Sequence, residues 1–344
     1  MTTSSDSQAP FVSVLMPVRD EEAFIARSLG AVLAQSWPAD RLEVLVLDGR
    51  STDSTRSLVD EIAARSETSI RLLDNPGRTA PCALNVGLRA ARGEILVRVD
   101  GHCEIGTDYV ERGVHHLLAD GVDGVGGPLA TVPLDPNDPV AETIAVAMGS
   151  PFGVGGSAFR VEREGRYLRP VDTVAFPAYR RKAVEAAGLF DEELLRNQDD
   201  EYNYRLRKLG YVIALAGDMP ARYYARSSWR KLWRQYRQYG MYKVRVLQKH
   251  PRQMRGRQFV PAAFVGALIG GILALPRLGA RPLALVVGAY LLANLVATDR
   301  TLRARAHRRG ELRWRLPRAF ALMHVGYGVG FLQGLVRFAG RWRD

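Results

Sequence analysis

Apolar residues in the first hundred positions fall in short continuous runs separated by polar, turn-forming clusters, the pattern of buried strands alternating with amphipathic helices. Phe11-Val-Ser-Val-Leu-Met16, bounded by Pro17, reads as a buried strand. Arg19-Asp-Glu-Glu22 then places acids at the positive end of a helix predicted through Ala34. Leu42-Glu-Val-Leu-Val-Leu47 is a second strand; it ends at Asp48-Gly-Arg-Ser-Thr-Asp53, with Asp53 as N-cap of a helix to about Ala64. A third strand, Ser69 to Leu73, leads to Asn75-Pro-Gly-Arg78, and a helix over 80–91 precedes a fourth strand that runs out at Val99-Asp100-Gly101-His102. Such alternation predicts an α/β domain, a mostly parallel sheet with helices on both faces. Beyond His102 the pattern predicts a helix over 108–118 and a strand over 121–130. The glycine-rich stretch 135–169 gives mixed signals and is expected to be mobile over the site. A further helix opens at Asp199-Asp200-Glu201, with Tyr202, Leu206 and Leu209 as its apolar face and Gly210 as its stop.

After position 221 the pattern changes. Between Arg222 and Arg257 there are 12 Lys/Arg and no acids, with Trp229, Trp233, Tyr236 and Tyr239 interleaved. This composition suits nucleic acid or, more commonly, the headgroup region of a membrane. Apolar runs at 259–276 and 283–298 follow, close to the lower limit for a span and joined by a short loop, so a helical hairpin over 259–298 is expected. A third run, 319–336, contains His324 and Gln333 and is a possible third membrane helix; a packed soluble hairpin is the alternative. The charge is split accordingly: residues 1–218 carry 23 Lys/Arg against 33 Asp/Glu, net −10, and residues 219–344 carry 25 against 3, net +22. The domain expectation is a disordered segment at 1–10, a catalytic domain at 11–221, basic interfacial helices at 222–257 and membrane-associated helices at 258–344. The arginine-rich loop 300–318 and residues 249–257 should stay cytoplasmic. A third crossing would put Arg337, Arg341 and Arg343 outside, against that rule, so a re-entrant or interfacial third helix is the alternative. Two cysteines, Cys82 and Cys103, give neither a zinc spacing nor a disulfide framework, and the N-terminal residues show no secretion signal.

The chemistry concentrates where the strands end. In an open α/β sheet, ligands collect beyond the carboxyl ends of the strands, and Pro17 to Glu21, Asp48, Arg78 and Asp100 all lie at such ends. No G-x-G-x-x-G follows the first strand and there is no P-loop lysine, so phosphates would need a metal. A carboxylate at Asp100 with an imidazole at His102 is compatible with Mn²⁺ or Mg²⁺ carrying a diphosphate; a plain turn with a surface histidine is the alternative. Asp199, Asp200 and Glu201 suit a helix N-terminus on electrostatic grounds alone. Asp199, in a candidate capping position, could also serve as a general base.

Taken in order, Pro17 to Glu21, Asp48-Gly-Arg-Ser-Thr-Asp53, Asp100-Gly-His102, Phe190-Asp191-Glu192 and Gln198-Asp199-Asp200-Glu201 resemble the family 2 inverting glycosyltransferases of GT-A fold, in the succinoglycan-biosynthesis branch, over roughly residues 11–240. The resemblance implies a Rossmann-like catalytic domain, a nucleotide-diphosphate sugar donor (a UDP-sugar), a divalent cation, and a lipid-linked or glycan acceptor at the cell membrane, with no nucleic acid partner. It places the catalytic base at Asp199 and the metal at Asp100 and His102. Pro17, Arg19, Glu21, Asp48, Arg78 and Asp100 fall on the donor side, with Asp48 reading the base. Asp200, Glu201, Gln235, Gln238 and Tyr239 fall on the acceptor side or in support. His102 replaces the second Asp of a D-x-D motif, Gln198 and Glu201 depart from E-D-x-D, and Gln238-Tyr239 stands where processive relatives carry R-W, which suits addition of a single sugar.

Overall fold

The computed structural model describes residues 9–225, 227–304 and 309–342. Most of the segment expected to be disordered, and Arg305 to Arg308 with Arg343, lie outside the described residues. The elements in chain order are β1 Val12–Val18, α1 Ile25–Leu33, β2 Leu42–Asp48, α2 Thr55–Ala63, β3 Ser69–Asp74, α3 Ala80–Ala90, β4 Ile95–Arg98, β5 Cys103–Ile105, α4 Tyr109–Ala119, β6 Gly124–Gly126 and β7 Leu129–Pro133. They continue with α5 Pro139–Met148, α6 Pro151–Val154, α7 Ala158–Val161, β8 Leu168–Pro170, β9 Ala178–Arg180, α8 Arg181–Ala187, α9 Gln198–Lys208, β10 Ile213–Ala216, β11 Ala221–Ala225, α10 Trp229–Lys249, α11 Val260–Leu278, α12 Arg281–Arg303 and α13 Arg309–Arg337. Two compact units result: one runs to Leu129 and resumes over Glu162–Tyr223, and the other holds Ala130–Val161 and the chain from Tyr224.

The first unit contains an eight-stranded sheet in the order β3-β2-β1-β4-β9-β6-β10-β8. β3, β2, β1 and β4 are parallel, as the runs of buried Val, Leu and Ile predict, and β1 and β2 are buried almost throughout. The expectation of a mostly parallel sheet fails in the other half. β9 runs antiparallel between β4 and β6, and β8 is antiparallel to β10, so the sheet is mixed. Three-residue strands such as β9 and β6 are too short to show a period, which is why only the first four strands were readable. The strand expected over 121–130 is broken at Gly127, where a Cβ would lie 1.5 Å from the Met219 carbonyl oxygen. Pro17 is tolerated inside β1 because β1 outruns β4: their register ends at Leu15 against Arg98.

At the amino end of the same sheet Glu43 is buried with no exposed side-chain surface. Ser13 donates its hydroxyl to Glu43 at 2.6 Å, and Arg92 donates its backbone N–H at 2.8 Å and Nε at 3.0 Å. Burial alone would raise the Glu43 pKa, but these donors together with the Arg92 charge outweigh it and hold the carboxyl below its ordinary 4.5.

In the second unit, the part of the glycine-rich stretch that runs to Val161 carries the helices α5, α6 and α7. Asp138 accepts from the N–H groups of Val140 and Ala141 and starts α5, and seven of its ten residues are buried. The interfacial segment expected over 222–257 begins as strand β11 and becomes the single helix α10. Its Leu232, Tyr236, Met241 and Val244 are buried, and Met241, Tyr242 and Val244 share a core with Ala262, Phe331 and Phe338. α13, ten residues longer at its start than the apolar run 319–336, lies against α10 at backbone distance. A Cβ at Gly240 would fall 2.0 Å from the Tyr327 carbonyl oxygen, and one at Gly330 would fall 1.9 Å from that of Arg237. α11, α12 and the segment Gly310–Arg337 are long and apolar enough to cross a membrane by length and composition, and α11 and α12 leave Leu273, Leu285 and Leu292 exposed.

Two outcomes are expected. Gly240→Ala should lower stability by about 1–3 kcal/mol through overpacking. Gly266→Ala, with nothing within 4 Å of its Cβ, should not; thermal unfolding of the detergent-solubilised protein compares the two. For Glu43 the folded pKa is depressed, so its contribution is fully present above about pH 4.5 and is lost as pH falls through the folded value. Urea unfolding from pH 6 to pH 3 should therefore show an acid limb that Glu43→Gln flattens.

Candidate active site

Three successive strand-to-helix turns form one edge of the parallel half-sheet, and each contains a non-glycine residue in the left-handed region: Asp20 at φ 53°, Arg50 at 58° and Arg78 at 56°. Such residues cost of order 1–3 kcal/mol each and persist only where their surroundings impose them. The first two turns impose them on each other. The Asp20 N–H donates to Ser51 Oγ at 2.9 Å, and Thr52 N–H donates to Asp20 Oδ1 at 2.8 Å. Glu21 N–H donates to Thr55 Oγ1 at 2.8 Å, Glu22 N–H to Asp53 Oδ2 at 3.1 Å, and Ser54 N–H to Glu22 Oε2 at 3.0 Å. Asp53 does cap the backbone of Thr55, but from one residue before the N-cap, which is Ser54. Asp48, with no exposed side-chain surface, accepts from the Ser51 hydroxyl and from Arg56 Nη1 at 2.6 Å. Arg19 donates Nη1 to the Arg78 carbonyl at 3.3 Å, linking the first turn to the third.

At the end of β4 the Arg98 guanidinium, almost wholly buried, donates Nε to Asp100 Oδ1 at 2.9 Å and Nη2 to Oδ2 at 3.2 Å, while Nη1 binds Asp199. One cation therefore joins the two acids that the sequence singles out. Burial raises the Asp199 carboxyl pKa above its ordinary value; Arg98 opposes this, and Asp100 adds to it. Burial alone would lower the Arg98 pKa, but Asp100 and Asp199 hold it above its usual range. The turn between Asp100 and His102 is fixed by Ser28, whose hydroxyl donates to the Gly101 carbonyl at 2.5 Å. Gly101 has no room for a side chain, because a Cβ there would meet Val18 Cγ1 at 2.8 Å. His102 Nδ1 lies 2.8 Å from Glu21 Oε1, and its ring packs edge-on against Tyr223 at 5.1 Å.

α9 begins at Gln198 behind Asn197, a left-handed N-cap, so Asp199 is the second helical residue and not the cap. Leu209 is exposed, so the apolar face is Tyr202 and Leu206, with Gln198, Glu201 and Asn203 buried beside them. Tyr202 stacks on Phe190 at 4.0 Å. Asn85 on α3 accepts from the Phe190 N–H at 2.8 Å and donates to the Phe190 carbonyl at 2.9 Å and to Glu192 at 2.8 Å. Glu201 is buried and bound by Arg205, which also donates to the carbonyls of Ala187 and Leu189. Glu201 thus fixes the loop ahead of α9, and Asp200 is half-buried beside Asp199. In the second unit, Gln235 is buried on α10 and donates to the Tyr239 hydroxyl at 2.9 Å; Gln238 and Tyr239 are half-buried.

The residues that sequence reasoning missed are Arg98 and Asn85. Arg98 had a signal, a cation inside the apolar run Ile95 to Val99; Asn85, a polar residue on the inner side of α3, had little. No group of three or more His, Cys, Asp or Glu side chains converges among the described residues. His102 nevertheless has the geometry of a residue that could ligate a cation drawing its other ligands from phosphate and water. Glu21 on Nδ1 leaves His102 Nε2 as the nitrogen available for ligation, the arrangement in which an outer carboxylate orients a ligating histidine.

A mixed sheet of this order, with acids and a guanidinium at the carboxyl edge of its parallel half, is a GT-A-like fold. The Glycosyl transferase family 2 model matches residues 13–188, and the chain belongs to that family. It is 31% identical over 265 residues to the succinoglycan biosynthesis protein ExoA of Rhizobium meliloti, covering 76% of this chain and 78% of that one. It is 27% identical over 334 residues to the dolichyl N-acetyl-alpha-D-glucosaminyl phosphate 3-beta-D-2,3-diacetamido-2,3-dideoxy-beta-D-glucuronosyltransferase of Methanococcus voltae, covering 95% and 98%. Among solved structures, the mannosyltransferase PcManGT from Pyrobaculum calidifontis, in complex with GDP-Man and Mn2+, aligns with a TM-score of 0.60 at 20% identity over 96% of this chain and 88% of that one, a match in fold. The protein is a glycosyltransferase, and its apolar C-terminal helices mark it as membrane-associated.

Proposed function

We propose that this glycosyltransferase moves a hexose, with inversion, from a UDP-sugar to a hydroxyl of a lipid-linked or glycan acceptor in cell-envelope or exopolysaccharide synthesis, its catalytic domain on the cytoplasmic side of the cell membrane. The observation that carries this reading is the juxtaposition of Asp100 and Asp199 on one buried guanidinium at the carboxyl edge of the sheet. Asp199 takes the proton of the attacking hydroxyl. Its pKa, raised by burial, brings a carboxylate closer to the operating pH of a general base. Asp100 and His102 would hold Mn²⁺ or Mg²⁺, which supplies positive charge to the diphosphate leaving group. Pro17, Arg19, Glu21 and Arg78 line the donor side. Asp48 meets the base, with its partner Arg56, exposed over nearly half its side chain, free to yield.

A lipid-linked acceptor is supported by the Methanococcus relative, whose name specifies a dolichyl-phosphate-linked sugar. The family resemblance assigns Gln235, Gln238 and Tyr239 to the acceptor and Asp200 and Glu201 to support of the base. The net +22 of residues 219–344 matches an anionic cytoplasmic leaflet, each Lys or Arg near such a surface contributing about 1 kcal/mol.

With a panel of UDP-sugars and membrane-derived acceptors, Asp199→Asn should reduce transfer roughly 100-fold or more while donor binding is retained, and excess EDTA should stop the wild-type enzyme. Undiminished transfer by Asp199→Asn would assign the base elsewhere, and full turnover in EDTA would remove the metal. Membranes carrying the full chain should keep it through a high-salt wash and release it only to detergent, because salt screens the basic residues but not the apolar helices. Release by salt alone would make α11 and α12 a packed soluble hairpin.

A further inference from the structure

The carboxylate assigned to the cation is already filled by a cation of the protein's own. Arg98 engages both oxygens of Asp100 through a two-pronged contact, the lone pairs that a divalent ion would use. It cannot drift away, because β4 is paired to β1 on one side and β9 on the other, and the residues before it, Ile95 to Val97, are buried. A guanidinium in such surroundings is stable only while its carboxylates are present. The site also has less negative charge than two carboxylates at positions 100 and 102 would supply, since His102 stands at the second. A free divalent ion therefore meets one carboxylate occupied by a fixed positive charge, which Asp199 shares, and one imidazole held from behind by Glu21.

We propose that Arg98 is a resident counter-cation that keeps the site closed to free divalent metal, and that a nucleoside diphosphate admits the metal by bringing the negative charge that lets Asp100 exchange partners. Arg98 then stays on Asp199 and holds that carboxylate toward the acceptor side, which makes it a positioning residue acting through Asp100 and Asp199. The inference rests on the metal and base assignments proposed above, and it implies an order: nucleotide and metal enter together, or nucleotide first.

The test is Mn²⁺ binding by the full chain in detergent, read from the loss of the free-ion paramagnetic resonance signal, with and without UDP and corrected for Mn²⁺–UDP formed in solution. The wild type should bind Mn²⁺ weakly alone and about tenfold or more tightly with UDP, whereas Arg98→Gln should bind Mn²⁺ alone about tenfold more tightly than wild type and gain little from UDP. Damage to the fold does not produce tighter binding. Arg98→Lys, which keeps the charge and loses the fork, should fall between the two and serves if the glutamine variant does not fold. Unchanged or weaker Mn²⁺ binding in both variants overturns the proposal. No Mn²⁺ binding by the wild type even with UDP overturns the metal assignment and this inference with it.

Discussion

A single buried guanidinium sets the conditions for the rest of the catalytic unit. Arg98 is enclosed by β1, β9 and their side chains, where an unpaired charge would cost several kcal/mol, so the fold must deliver two carboxylates to it. Asp100 arrives because a glycine turn without room for a Cβ reverses the chain directly after β4. Asp199 arrives from a hundred residues away, and its placement takes more machinery. Asn85 holds the Phe190 backbone, Phe190 stacks on Tyr202, and the Glu201–Arg205 pair binds the carbonyls of the loop. Charge satisfaction at one strand end thus dictates the course of the chain from α8 to α9.

The sheet itself has two chemically different ends. At the amino end a buried carboxylate, Glu43, is fully served by Ser13 and Arg92 and has nothing left to offer a ligand. At the carboxyl end burial is uneven: Asp48 and Arg98 are buried, Asp20, Glu22 and Arg78 are exposed, and the groups bind mainly one another, as the two interlocked turns at Asp20 and Ser51 show. The first arrangement stabilises and the second leaves polar groups at the surface, so the two ends differ in the completeness of their burial as much as in their residues.

Much of this was legible in the sequence, and the parts that were not have a common cause. β1 to β4 and their helices were readable because apolar runs of four to seven residues and amphipathic helices of nine to eleven carry their own period. β9, β6 and β8 are three residues long, and what makes them strands is the neighbour they pair with, so the antiparallel half of the sheet was invisible to local pattern. The stretch around Gly149 to Gly156 looked irregular because its glycines serve helix ends and close contacts, not disorder. At the site, Asp100, His102, Asp48 and Asp199 are the residues that type, position and family resemblance single out in the sequence. Their partners are not singled out, because Arg98 pairing with Asp199 and Asn85 with Phe190 are separations of about a hundred residues that no spacing encodes.

The left-handed residues of the strand-to-helix turns have a further consequence. Arg50 and Arg78 occupy backbone conformations that glycine adopts without strain, so at each position the protein forgoes the conformationally easier residue and keeps a cation. Glycine there would relax the turn and remove a positive charge from the edge where a doubly phosphorylated donor is expected to lie. Tolerance to change at these two positions should therefore divide: selection for thermal robustness favours the small residue, and selection for turnover favours the large one. The rim of this sheet is a place where folding and ligand capture pull in opposite directions on the same atom, Cβ.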